Sequence, residues 1–183
     1  MNKITAISSF FRVVIWLYIA AIVVIYLLAW ARFNESMVFV TSMGSVNFGM
    51  IPDYITIAHP LSFMEISQAM LATAVPVVVK VLIAFNLHKL FTYFAKKQIF
   101  CIENVKTIRN VAILLLVFEV ASILIDTLLG VILTIHNPPH MRMAQISFGA
   151  PNLGVIFCAL IIFLVAWILR EGYKLRAENE LTI

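Results

Sequence analysis

Apolar residues run almost unbroken over four long stretches of this chain, and the charged residues collect between them. The first stretch is Val13 to Trp30, between Arg12 and Arg32, and the second is Ala69 to Leu87, closed by His88 and Lys89. The third is Val111 to Ile135, preceded by Arg109; the fourth is Gly154 to Leu169, closed by Arg170. Each approaches the ~20 residues a helix needs to cross ~30 Å of hydrocarbon, the fourth with help from its flanks. Continuous apolar runs without period-2 alternation predict helices rather than a barrel. The chain reads as one all-α integral membrane domain, 1–183, with spans at about 13–30, 69–87, 111–135 and 154–169. Ala29-Trp30-Ala31 has the form of a signal-peptide cleavage site, but the apolar run is longer than a signal core, so the first span reads as an anchor.

The connections differ in character. The middle one, 88–110, continues the helical pattern: Leu87, Leu90, Phe91 and Phe94 give the second helix an apolar face beyond the membrane, until Lys96, Lys97 and Gln98 end it. "IFCIENVKTIRN" then starts the third helix, with Glu103 and Asn104 at its positive N-terminal end. In the first connection, 31–68, "MVFVT", "VNFGM" and "YITIA" have strand-like composition, separated by Gly44, Gly49 and Pro52-Asp53. The third, 136–153, has a Pro-Pro break and one candidate strand at Gln145 to Phe148. A small extracytoplasmic β element in these two connections is compatible with the pattern.

Composition sharpens the class. The chain is 63% hydrophobic and 12% charged, with mean hydropathy +1.03, against roughly a quarter charged in soluble domains. So much apolar surface cannot be hidden in a water-facing globule, so the bilayer is the natural solvent. The charges also orient the chain. Lys3, Arg12, Lys89, Lys96, Lys97, Lys106, Arg109, Arg170, Lys174 and Arg176 fall at one set of helix ends, and only Arg32 and Arg142 at the other. By the positive-inside rule both termini are cytoplasmic. The net charge of +4 is then topological and not a nucleic-acid footprint. Cys101 and Cys158 have neither disulfide nor zinc spacing.

Three polar features inside or near the spans invite a function. Lys80 lies nine residues before Lys89 and Glu119 ten after Arg109, which puts both ~14 Å above the cytosolic edge at ~1.5 Å per residue. On neighbouring helices they are expected to pair, as a static clamp or as an ion pair that opens and closes. Asp126, seven residues beyond Glu119, faces nearly the same way. It would meet an outer vestibule, Arg32 or Arg142, or complete a polar track Asp126–Glu119–Lys80 of the kind proton-linked transporters use. Lastly, His59, His136 and His140 fall outside, and His136, His140, Met141 and Met143 crowd into "HNPPHMRM". Such donors suit a soft metal such as Cu(I), although methionine also packs beneath loops. No nucleophile, phosphate-loop or HExxH motif is present, so neither an enzyme nor a cofactor is expected.

Two segments, "LHKLFTYFAKKQIFCIENVKTIRN" and "LREGYKLRAENELTI", resemble the bacterial family of small four-helix membrane proteins called domain of unknown function twenty-nine seventy-five. The resemblance rests on Leu90, Phe94, Ile99, Phe100, Glu103 and Asn104, then on Glu171, Gly172, Leu175, Glu178, Asn179, Leu181, Thr182 and Ile183. Lys97 stands where the family commonly has glycine, and Cys101 where a serine or threonine would cap better. The resemblance implies a multi-pass protein of the bacterial cytoplasmic membrane, often encoded beside a small helix-turn-helix regulator, and no known reaction. Together these features lead to a non-enzymatic interaction or regulatory protein. Its cytosolic hairpin and tail would meet a cytosolic or membrane partner or a second copy, with Glu171, Glu178 and Glu180 docked on the basic middle connection or free. The alternative is a small transporter or a copper-handling protein at the outer face.

Overall fold

The computed structural model describes residues 3–31, 38–41, 44–47, 51, 55–96 and 101–180, with side chains for 4–31, 51, 55–96 and 101–175. Four helices dominate: α1 Lys3–Ala31, α2 Phe63–Ala95, α3 Ile102–Thr134 and α4 Ala150–Glu180. All four are long and apolar enough to cross a membrane, and the chain is a multi-pass membrane protein on that basis. At 29 to 33 residues each measures ~44–50 Å, well beyond the ~30 Å of hydrocarbon. The apolar runs therefore mark only the middle of each helix. Once the hydrogen-bond ladder is nucleated, adding a polar residue to its end costs little. Large apolar side chains stay on the outside, for example Leu17 at 65% and Phe157 at 64% exposure. In water this would be untenable; in lipid it is the expected surface.

Local chemistry sets the helix ends. Ser62 and Glu65 form a reciprocal capping box at the start of α2. The Ser62 amide donates to Glu65 Oε2 at 2.7 Å, and the Glu65 amide donates to Ser62 Oγ at 3.3 Å. At the other end of α2, the Lys96 amide folds back on the Thr92 and Tyr93 carbonyls. Pro76 sits inside α2 without ending it, although it removes one ladder donor. At the start of α4, Asn152 Oδ1 accepts from the Gly149 amide at 2.7 Å.

The first connection holds a two-stranded antiparallel hairpin, β1 Val38–Thr41 with β2 Gly44–Asn47, in the register Val38↔Asn47 to Thr41↔Gly44. Two expected strands are not formed: Ile55–Ala58 is irregular, and so is Gln145–Phe148.

The described chain divides into two compact units. One comprises 20–78 and 120–148. Its core is Tyr26, Trp30, Ile55, Ala69, Leu129 and Leu133. Two aromatic heads tie α1 to α2 there: Tyr26 Oη donates to the Met70 carbonyl at 2.6 Å, and Trp30 Nε1 to Thr73 Oγ1 at 3.1 Å. In the same unit the chain after α3 turns back along that helix. The Met143 amide donates to Thr134 Oγ1 at 2.8 Å, and Thr127 Oγ1 donates to the Gln145 carbonyl at 3.2 Å. Gly130 permits the close pass, since a Cβ there would lie 3.2 Å from the Met143 carbonyl oxygen. The backbone of the returning segment is thus met by threonine hydroxyls of a helix and not by a partner strand. That is why Gln145–Phe148 fails to become β.

The other unit comprises 1–19, 79–119 and 149–183. Phe11 and Phe91 stack with centroids 4.9 Å apart. Ala84, Ala112, Ala159 and Ala166 are this unit's most buried apolar residues, as small side chains are where membrane helices pack closely.

Candidate metal site

In the first of these units three side chains converge from separate stretches of sequence. His59 comes from the connection before α2, Glu65 from the first turn of α2, and His136 from the turn after α3. Glu65 Oε1 lies 3.1 Å from His59 Nε2 and 2.7 Å from His136 Nδ1. One donor atom from each residue lies within 4.8 Å of the other two. Glu65 is buried, His59 half-buried and His136 exposed. Glu65 stands in the first turn of α2, four residues before the apolar run that opens at Ala69.

Asn137 organises the cluster. Its side chain is almost fully buried and uses all four of its hydrogen-bonding positions. Nδ2 donates to the Thr56 carbonyl at 2.8 Å and to the Met141 carbonyl at 3.2 Å. Oδ1 accepts from the Ala58 amide at 3.0 Å and faces His59 Nδ1 at 3.0 Å. With Nδ2 committed to two carbonyls, Oδ1 is fixed as the acceptor, so His59 Nδ1 must carry a proton. His59 Nε2 is then left pointing at the Glu65 carboxylate. Either it carries the second proton of an imidazolium or its lone pair is available to a cation.

The electrostatics favour a positive occupant. Hydrogen bonds from the backbone and side chain of Ser62, followed by those from His136 and His59, hold the Glu65 carboxyl down to about 2. The Asn137 oxygen and then Glu65 raise the pKa of His59 above its ordinary value. Oε2 of Glu65 is occupied by the Ser62 amide, and Oε1 is the carboxylate atom that faces the two imidazoles. Two imidazole nitrogens and one carboxylate oxygen form a three-ligand set for a borderline divalent ion, with a position left open. Tetrahedral ligands ~2.0–2.1 Å from a metal stand ~3.3 Å apart, and the two histidine–carboxylate separations, 3.1 and 2.7 Å, are close to that spacing. The buried amide that fixes His59 acts as the outer-shell partner such ligands commonly have.

Of the two histidines in "HNPPHMRM", His136 enters this cluster. His140 is exposed on the short 3-10 turn Pro139–Met141. Met141 contributes its backbone carbonyl to Asn137, and Met143 its backbone to Thr134. The donors that the structure brings together are thus nitrogen and oxygen atoms. Sequence reasoning names His59 among the outer histidines without grouping it with His136, and it misses Glu65, although a signal exists: Ser62-x-x-Glu65 is a capping signature three residues after a histidine.

The expected Lys80–Glu119 ion pair is also corrected. Glu119, buried on α3, accepts from the Asn152 amide group of α4. Lys80 instead lies over the Phe118 ring, 5.1 Å from its centroid, and lines an apolar cavity of about 410 Å3 with Tyr18 and Leu115. Residues 118 and 119 leave a helix ~100° apart, and it is the ring that faces the lysine. The polar track fails at its first link. Asp126 is half-buried and has no hydrogen-bond or ion-pair partner among the described residues; Arg32, one partner considered for it, lies outside them.

Among the family-motif residues, Asn104 is buried in the first turn of α3 and Glu103 is exposed. Gly172 is exposed on α4, and Glu171 pairs with Lys174 at 2.8 Å, within its own helix. Phe100, Leu181, Thr182 and the side chains of Glu178, Asn179 and Glu180 lie outside the described residues. The docking of the tail on the middle connection therefore does too.

Residues 50–183, which include α2, α3 and α4, match the family described as Protein of unknown function (DUF2975). The chain belongs to this family. No curated protein and no solved structure matches the chain. The family description attaches no reaction to its members, so any function has to be argued from this chain's own side chains.

Proposed function

We propose that this protein binds a borderline divalent metal ion, of the Zn(II) class, through His59 Nε2, Glu65 Oε1 and His136 Nδ1 on the extracytoplasmic side of a bacterial cytoplasmic membrane. The observation that carries the reading is the fully bonded Asn137 amide, which fixes the His59 tautomer and aims Nε2 at a carboxylate. The distribution of lysine and arginine supports the orientation, with both termini and the middle connection in the cytosol and the site opposite them. The nitrogen–oxygen donor set favours Zn(II), Ni(II) or Cu(II) over the Cu(I) that methionines would select. The role is binding, not turnover.

A native-state ligand stabilises by RT ln(1 + [L]/Kd), ~2.7 kcal/mol at a hundredfold excess over Kd. Added Zn(II) should therefore raise the melting temperature of the purified full chain. His59→Gln, Glu65→Gln and His136→Gln should each remove most of that shift, while His140→Gln keeps it. A shift that survives His59→Gln, or that vanishes in His140→Gln, contradicts the assignment.

A further inference from the structure

The other unit carries a groove between the first turns of α3 and the later part of α4, with a cavity of about 380 Å3. Phe163, Ala166, Trp167 and Arg170 line it from α4 at i, i+3, i+4 and i+7, and Lys106 and Arg109 line it from α3. Ala166 is buried in its floor, while Phe163 and Trp167 are exposed along its wall. The groove is apolar along its length and cationic at its mouth. We propose that it binds one anionic phospholipid, with the phosphate held by Lys106, Arg109 and Arg170 and an acyl chain lying along Phe163 and Trp167.

Three observations point to that occupant. First, none of the three cations has a hydrogen bond or ion pair among the described residues; Glu171, the acid next to Arg170, is taken by Lys174. Among the described residues no anion is set against these three clustered cations, and a phosphate supplies a matching charge with geometry suited to arginine. Second, their level in the helices matches a headgroup. Arg109 stands two residues before the apolar run of α3, and Arg170 directly follows that of α4, which puts both at the boundary between water and hydrocarbon. Third, Trp167 sits one turn inside that boundary, the usual level of interfacial tryptophan. A soluble anion would leave the apolar wall unused, whereas a phospholipid covers both halves. Basic pockets between membrane helices at the cytosolic leaflet recognise lipids by this chemistry. The inference needs only the membrane character of the helices and is independent of the metal site.

The test uses the purified full chain in neutral detergent. It is titrated separately with dioleoylphosphatidylglycerol, dioleoylphosphatidylcholine and inorganic phosphate, with melting temperature as the readout. Only phosphatidylglycerol should raise it. Arg109→Gln/Arg170→Gln should weaken the response about tenfold or more. Lys89→Gln/Lys96→Gln removes the same charge outside the groove and should change it less than about threefold. Trp167→Ala, at an exposed side chain, should weaken it without changing charge. Should the double arginine variant not fold, Arg109→Gln alone and Trp167→Ala decide between the same outcomes. An equal loss in both double variants would reduce the effect to general charge attraction and overturn the proposal. So would an equal response to phosphatidylcholine, an equal response to inorganic phosphate, or full retention of the response in Arg109→Gln and Trp167→Ala.

Discussion

Two polar regions of this protein answer the same problem in different ways. The cluster around Asn137 draws on four stretches of sequence, and its polar atoms check one another: the amide fixes the histidine, the serine fixes the carboxylate, and the carboxylate meets both imidazoles. Among the described residues, Lys80 and Glu119, inside the apolar runs, meet an aromatic face for the cation and an amide group for the carboxylate. The difference shows what makes a polar group specific. Being charged in an apolar setting demands some compensation, but only a network in which each orientation is forced defines a site with one geometry.

The largest effect that would break this contrast is at Asn137. Asn137→Ala leaves the Thr56 and Met141 carbonyls and the Ala58 amide without their partner, a loss of about 3 kcal/mol. It should also abolish the metal response, because the His59 tautomer is no longer fixed. Melting curves with and without Zn(II) check both halves. A variant as stable as the parent would mean that the network is decorative.

A smaller effect is expected in the membrane segment. Glu119→Gln keeps a hydrogen-bonding group for Asn152 and should cost about 1 kcal/mol or less. Lys80→Met should also stay within about 1 kcal/mol of the parent, since a weak cation–π contact is exchanged for apolar packing. Because the two side chains do not meet, the double variant should equal the sum of the singles within about 0.5 kcal/mol. Recovery of stability in the double variant would restore the ion pair and blur the contrast.

The smallest effect is the pH response of the metal-free cluster. The raised pKa of His59 means that its contribution to stability is complete below about 6.5 and fades as pH climbs through the higher folded-state value. The Glu65 carboxyl is held down to about 2, so its contribution is complete above its ordinary value and is lost only as pH falls toward that figure. Between about pH 6 and 9 the parent should therefore lose stability relative to His59→Gln as pH rises. A gap that widens with pH would mean that His59 is neutral in the metal-free protein.

Much of the architecture is legible in the apolar runs, which locate all four helices. The apolar positions 87, 90, 91 and 94 anticipate how far α2 continues, to Ala95. The helix ends are less visible, because polar residues extend a ladder that the apolar middle has already started. Depth along a helix can be counted from the flanking charges, but which way a side chain turns cannot. Counting puts Glu119 and Lys80 at one height and suggests a pair, yet one residue's difference along α3 sets Phe118 and not Glu119 against the lysine. The metal site is harder still: Glu65 and His136 are 71 residues apart in the chain and meet only because α2 and α3 bring their far ends together. Its organiser, Asn137, looks in the sequence like one more turn residue before Pro-Pro.

The most direct measurement is zinc X-ray absorption on the full chain loaded with one equivalent of Zn(II). The His59–Glu65–His136 site should give only nitrogen and oxygen neighbours at ~2.0–2.2 Å, including the multiple-scattering signature of two imidazoles. In His59→Gln one of the two imidazoles should be lost. A sulfur neighbour at ~2.3 Å, or a parent spectrum unchanged in His59→Gln, would contradict the assignment of these three ligands.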